Sequence, residues 1–199
     1  WLPSSTMTTT TSAFFYGTLM HPKILKRVIG NDGAHLLICP AILMGYTRHQ
    51  VKHADYPGVL PYSESRQLFD HELDRETNSV RGAMVTGLTH SDMALLDTFE
   101  GDEYTRSTVP VYPLEPLVDL SQYRMLPETL TPLPGPAELP ASAPVDTYIF
   151  KDMSRLVRDV WDLEDFVNKN AWKWYGDGSR DNPDFTEVDR RQAASRMDS

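Results

Sequence analysis

The clearest helix in this chain is marked at both ends, and strand-like patterning stands on either side of it. Thr89 followed three residues later by Asp92 resembles a capping box, with Asp in the place of the usual Glu or Gln. Met93, Leu96 and Phe99 then repeat at spacing three, and Gly101 is a natural stop. Val80 to Leu88 before it alternates as a strand, with Gly82 and Gly87 suited to a bulge or a close backbone approach. Tyr104 to Leu114 after it returns to strand character.

The same contrast runs along the rest of the chain. Ala13 to Tyr16 reads as a short buried strand ending in a turn at Gly17. Pro22 opens a helical run carrying Ile24, Leu25, Val28 and Ile29. Cys39 to Val51 is apolar and β-branched enough for a strand, and Tyr56-Pro57-Gly58-Val59-Leu60-Pro61 is a turn followed by a brief extended segment. Glu64 to Thr77 reads as a charged surface loop. Val145 to Phe150 is another strand, and Asp159 to Trp174 an amphipathic, aromatic-rich helix. Strands are therefore clustered with few helices between them. That order predicts an α+β fold, a compact mixed β-barrel or curved sheet with flanking helices.

Three segments fall outside this pattern. Residues 1–12 read as a disordered leader, with Met7 as the expected natural start. Residues 116–144 hold seven of the chain's fifteen prolines and read as a long loop or insertion in a domain spanning 13–175. Residues 176–199 read as a polar, mobile C-terminal tail.

Bulk properties exclude several function classes. A formal charge of −9 argues against a nucleic-acid surface, which needs clustered Lys and Arg. The longest apolar tract, His35 to Tyr46, is broken by Pro40 and falls short of the ~20 residues of a membrane helix. Nothing near the start has the basic and apolar regions of a signal peptide. The single Cys39 sits among apolar residues, which predicts a buried structural thiol and a reducing, cytoplasmic setting. His49 and His53 lack a third ligand pattern and read as solvated side chains rather than zinc ligands. Asp177 to Asp181 lacks the glycine and distal acid of a calcium loop. No metal and no cofactor are expected.

Two short segments carry chemistry. In Tyr16-Gly17-Thr18-Leu19 a strand runs into a glycine turn just ahead of a helix start, where backbone amides lack intrahelical partners and can bind an anion. Glu100 ends the capped helix, beside Phe99 and Tyr104. A carboxylate there opposes the helix dipole, which prefers cations. Each has a plain structural reading: a tight turn, and one tolerated acid among 28.

Together they resemble the γ-glutamylcyclotransferase-like superfamily, in its AIG2-like branch. The resemblance rests on Phe15-Tyr16-Gly17-Thr18-Leu19, Gly45-Tyr46-x-Arg48 and Tyr56-Pro57-Gly58-Val59-Leu60-Pro61. It continues through Val80-Arg81-Gly82, Gly87-Leu88-Thr89, Leu96-Asp97-x-Phe99-Glu100-Gly101-x-Glu103-Tyr104-x-Arg106 and Trp161 to Phe166. The resemblance implies a compact mixed barrel, Glu100 as acid/base, and Tyr16, Gly17, Thr18 and Leu19 as the substrate-holding turn. It implies a small γ-glutamyl compound as substrate, releasing 5-oxoproline. The alternative is a non-catalytic small-molecule-binding or interaction protein on the same fold. The Pro-rich stretch and the tail exceed a minimal member and are expected to flank the site mouth.

Overall fold

The computed structural model describes residues 8–125, 132–161, 163–169, 171–174 and 185–197. Five strands close on themselves: β1 (Thr11–Phe15), β2 (Leu37–Met44), β5 (Ser79–Leu88), β6 (Tyr104–Pro113) and β8 (Ala143–Phe150). Their order is β5-β1-β8-β6-β2, and β2 pairs back to β5 to complete the barrel. Every neighbour is antiparallel except β1 and β8, which run parallel with Ala13 opposite Asp146. A short strand β7 (Val118–Asp119) adds to β2. A second sheet, β4-β3-β9, joins β3 (Tyr46–Val51), β4 (Pro57–Pro61) and β9 (Leu156–Val160).

Strand alternation sorts side chains to the two faces of the wall. Phe14, Cys39, Ala41, Leu43, Met84, Val109, Val111 and Val145 form the barrel interior. Ala13, Phe15, Ile38, Ala83 and Val85 point outward and meet the helices. These are α1 (Pro22–Ile29), α3 (His90–Glu100), α4 (Leu163–Lys169) and α5 (Thr186–Met197); a one-turn helix α2 (Tyr62–Ser65) follows β4. Pro22 starts α1, and its Ile24, Leu25, Val28 and Ile29 are all buried. Each such side chain contributes on the order of 1.5–3 kcal/mol by leaving water. The capping box of α3 is present in full, with Asp92 also bonded to Asn31 and His35.

Several elements differ from the sequence expectation. The single strand read over Cys39 to Val51 is two strands, broken at Gly45 and assigned to different sheets. Thr11 and Ser12 belong to β1 rather than to a leader, with Thr11 opposite Leu88. Residues 1–7 lie outside the described residues. The helix read from Asp159 begins only at Leu163, because Asp159 and Val160 extend β9 against β3.

The tail differs most. Residues 186–197 are α5, anchored on α1. Arg27 grips the Asp189 carboxylate with both terminal nitrogens at 2.6 and 3.0 Å, and Gln192 donates to the carbonyls of Arg27 and Val28. Phe185 and Val188 are fully buried. These two apolar residues in a polar stretch carry no periodicity that would announce a docked helix. The calcium-like segment 177–181 lies outside the described residues.

Candidate active site

The Tyr16–Leu19 turn is built by packing from both sides. Gly17 precedes a 3₁₀ turn, Thr18–Met20, whose first internal bond runs from the Met20 N–H to the Gly17 carbonyl. The N–H groups of Thr18 and Leu19 precede that bond, as at any helix start. Arg48, buried on β3, donates to the Tyr16 carbonyl at 2.8 Å and to the Arg81 carbonyl at 3.1 Å. Its guanidinium also lies 5.3 Å from the Trp161 ring centre. The strand end at Tyr16 is thus tied to the second sheet and to β5 together.

Glu100, half-buried, is the last residue of α3. Gly101 then takes φ 66° and ψ −157°, a region that side chains other than glycine's disfavour, and the chain turns into β6. The result is a small cleft of about 20 Å³ lined by Phe14, Phe15, Tyr16, Gly17, Thr18, Leu19, Tyr56, Pro57, Glu100, Tyr104 and Tyr148. All five residues singled out in the sequence therefore meet, although Tyr16 and Glu100 are separated by 84 positions.

Three buried tyrosines surround the carboxylate, and each hydroxyl is already engaged. Tyr16 donates to the Tyr148 carbonyl, Tyr104 to the Pro57 carbonyl at 2.7 Å, and Tyr148 to Asp97 at 2.8 Å. Burial first, then the Glu100 charge, pushes Tyr16 and Tyr148 well above the ordinary phenol range; for Tyr104, burial is followed by Tyr16 and then Glu100. All three stay neutral. Asp97, beside the site, is held by Tyr148 and by Arg106 at 3.3 Å. Glu103 accepts from Tyr56 and pairs with Arg155.

A second recess of about 40 Å³ also borders Glu100. It is lined by Thr18, Tyr56, Phe99, Glu100, Glu103, Tyr104 and Trp174, so the two recesses share four residues. Its aromatic wall is tied to the C-terminal helix: Trp174 meets Phe99 and Phe185 at centroid distances of 5.9 Å each. Tyr56, Tyr148 and Trp174 were not singled out as site residues by sequence reasoning, whereas Tyr104 was read as a neighbour of Glu100. Tyr56 and Tyr104 stand in the motifs that carry the resemblance. Tyr148 and Trp174 reach the site through tertiary packing that has no local signature.

A larger cavity, about 400 Å³, lies elsewhere, between β2, β5, Met20, Leu163 and residues 114–125. Volume alone would favour it, but it contains neither Glu100 nor the turn. Its lining includes part of the Pro-rich insertion. The described residues of 116–144 line neither recess beside Glu100, and Pro116, Val118 and Gln122 to Met125 line this other cavity.

Other candidates take structural roles. Cys39 is fully buried, and burial followed by the Glu115 charge pushes its thiol up to about 11. His49 is 1% exposed rather than solvated; its ring bonds the Val157 carbonyl and the Thr47 hydroxyl, which reaches Ser65. Among the described residues no group of three or more His, Cys, Asp or Glu is placed to hold a metal ion. Among them, too, no helix is long and apolar enough to cross a membrane.

Comparison with known proteins follows the same lines. The chain is 31% identical over 98 residues to AIG2-like protein C of Arabidopsis thaliana, covering 49% of this chain and 48% of that protein. It is 25% identical over 100 residues to Protein AIG2 C of the same organism, covering 50% and 51%. The chain thus spans about half the length of the curated relatives it matches. The solution structure of an Arabidopsis thaliana protein superposes with TM-score 0.52 at 21% identity, covering 98% of this chain and 88% of that one, which is a likeness of fold. The family described as gamma-glutamyl cyclotransferase, AIG2-like matches residues 13–135, well over half of the sequence, and the chain belongs to that family.

Proposed function

We propose that the protein is a γ-glutamylcyclotransferase-like enzyme with Glu100 as its acid/base and the Tyr16–Leu19 turn as its substrate anchor. The observation that carries this reading is the convergence of a half-buried carboxylate and a helix-start turn on one tyrosine-walled cleft. A γ-glutamyl group contains its own nucleophile, since its α-amine can close a five-membered ring on the γ-carbonyl. Glu100 removes a proton from the α-ammonium, and the freed lone pair attacks that carbonyl carbon. The protonated carboxyl then gives the proton to the departing nitrogen, and the C–N bond breaks. The products are 5-oxoproline and a free amine or amino acid, and Glu100 returns to its starting state.

The turn's role follows from the same chemistry. Amides of Gly17, Thr18 and Leu19 grip the α-carboxylate or meet the charge growing on the carbonyl oxygen. Holding the substrate folded supplies much of the remaining rate, because effective molarities of ~10⁵ M or more are reached in well-oriented intramolecular reactions. The cleft is small: its 20 Å³ compares with roughly 10–15 Å³ for one water. The fully buried, unactivated thiol of Cys39 accords with a reducing, cytoplasmic setting.

The test is incubation of the full chain with γ-glutamyl amino acids, γ-glutamyl amines and glutathione, following 5-oxoproline and free amine together. Equimolar release supports the reading. A γ-glutamyl ligand that raises the melting temperature yet is recovered intact would instead make this a binding protein on the same fold.

A further inference from the structure

The second recess bordered by Glu100 is walled in part by Trp174, a side chain whose donor the described residues leave unsatisfied. Trp174 is 3% exposed, lines the recess with Glu100, and its indole Nε1–H has no hydrogen-bond partner among the described residues. Nearly all buried donors have partners, so an orphan in a cavity wall points to a bond that a ligand completes. The ring is held in place by edge contacts with Tyr56, Phe99, Phe166 and Phe185. A donor fixed in this way loses little freedom when a ligand arrives. Of the neighbouring polar groups, Tyr56 donates to Glu103, and the same carboxylate pairs with Arg155.

We propose that Trp174 is a specificity-determining residue whose indole N–H binds an acceptor oxygen on the departing amine, selecting γ-glutamyl amino acids over γ-glutamyl alkylamines. The inference rests on the Glu100 reading above. Glu100 borders both recesses. With the glutamyl part against the Tyr16–Leu19 turn, the nitrogen that Glu100 protonates must face Glu100. Its substituent then continues into the recess that Trp174 walls. A carboxylate at that point meets the N–H, whereas an alkyl chain leaves it unpaired. A site built around such a bond discriminates strongly against the analogue lacking it.

The test uses γ-glutamyl-alanine and γ-glutamyl-ethylamide, which differ by the carboxylate alone. Native protein is expected to prefer the alanine compound. Trp174→Phe keeps an aromatic ring without the N–H, and is expected to lower the ratio of the two kcat/KM values at least about tenfold. An unchanged ratio overturns the inference. A second readout is the indole ¹⁵N–¹H signal of Trp174, identified by its through-space contacts to Phe99 and Phe185, in a Glu100→Gln protein that holds ligand without turnover. It should move with γ-glutamyl-alanine and stay in place with γ-glutamyl-ethylamide. If the Gly17 amide shifts while the Trp174 signal stays still, or if Trp174 responds alike to both ligands, the inference fails alone. If neither signal moves and no 5-oxoproline is released by native protein, the catalytic reading fails with it.

Discussion

Gly17 lies so close to Pro57 that a Cβ placed on it would stand 2.7 Å from two carbons of the proline ring. Neither partner can give way easily, since one is backbone and the other a rigid ring. The turn beside Glu100, which follows β1, is therefore positioned by contact with Pro57 of β4, a strand of the other sheet. Gly17→Ala is expected to destabilise the fold by about 1–3 kcal/mol, the usual range for overpacking. Urea unfolding measures this directly. A variant as stable as the native protein would mean that the turn is not fixed by this contact.

Arg48 acts on the same turn from below. Its buried Nη1 bonds two main-chain carbonyls, those of Tyr16 and Arg81. Lysine offers a point charge on a flexible stem in place of a planar fork. Arg48→Lys should leave at least one buried carbonyl unpaired and lower stability by about 1–3 kcal/mol. Equal denaturation midpoints for the two proteins would remove Arg48 from this role.

His49 makes stability depend on pH in a defined direction. Burial holds its imidazole below the ordinary value, against the opposing hydrogen bonds to Val157 and Arg158. The unfolded chain binds a proton near pH ~6.5 that the folded chain resists. The contribution is thus fully present above that pH and is lost as pH falls below it. Between pH 7.5 and 5.5 the native protein should lose more stability than His49→Asn. Parallel pH profiles for the two proteins would count against a neutral buried imidazole.

Phe185 ties the C-terminal helix to the site. It is fully buried between Arg27, Phe99 and Trp174. Removing its ring should cost about 3–5 kcal/mol, as for other buried aromatics cut to alanine. Phe185→Ala should also make residues 185–197 sensitive to limited proteolysis. If the helix stays protected and the stability is unchanged, its docking is weaker than the contacts indicate.

What could be read from the sequence follows the range of each interaction. The α3 capping box, the Pro22 helix start and the β5 alternation are local patterns, and all stand in the structure. The barrel was legible as a class because strands cluster, whereas its closure through β2 and β5 depends on pairing between remote segments. Asp159 and Val160 were misread because an aromatic-rich run suits a helix as well as an edge strand, and β3 decided between them. Glu100 and the Tyr16–Leu19 turn were legible through motifs. Tyr148 and Trp174 were not, because each arrives from a separate element and only packing brings it to Glu100.

The most direct measurement is kcat/KM for 5-oxoproline release from a turned-over γ-glutamyl compound, native protein against Glu100→Gln. The substitution keeps the shape of the side chain and removes its capacity to carry a proton. The account predicts a loss of at least ~10²-fold, as for a positioned general acid–base, with the circular dichroism spectrum unchanged. A Glu100→Gln protein that releases 5-oxoproline at the native rate would contradict it.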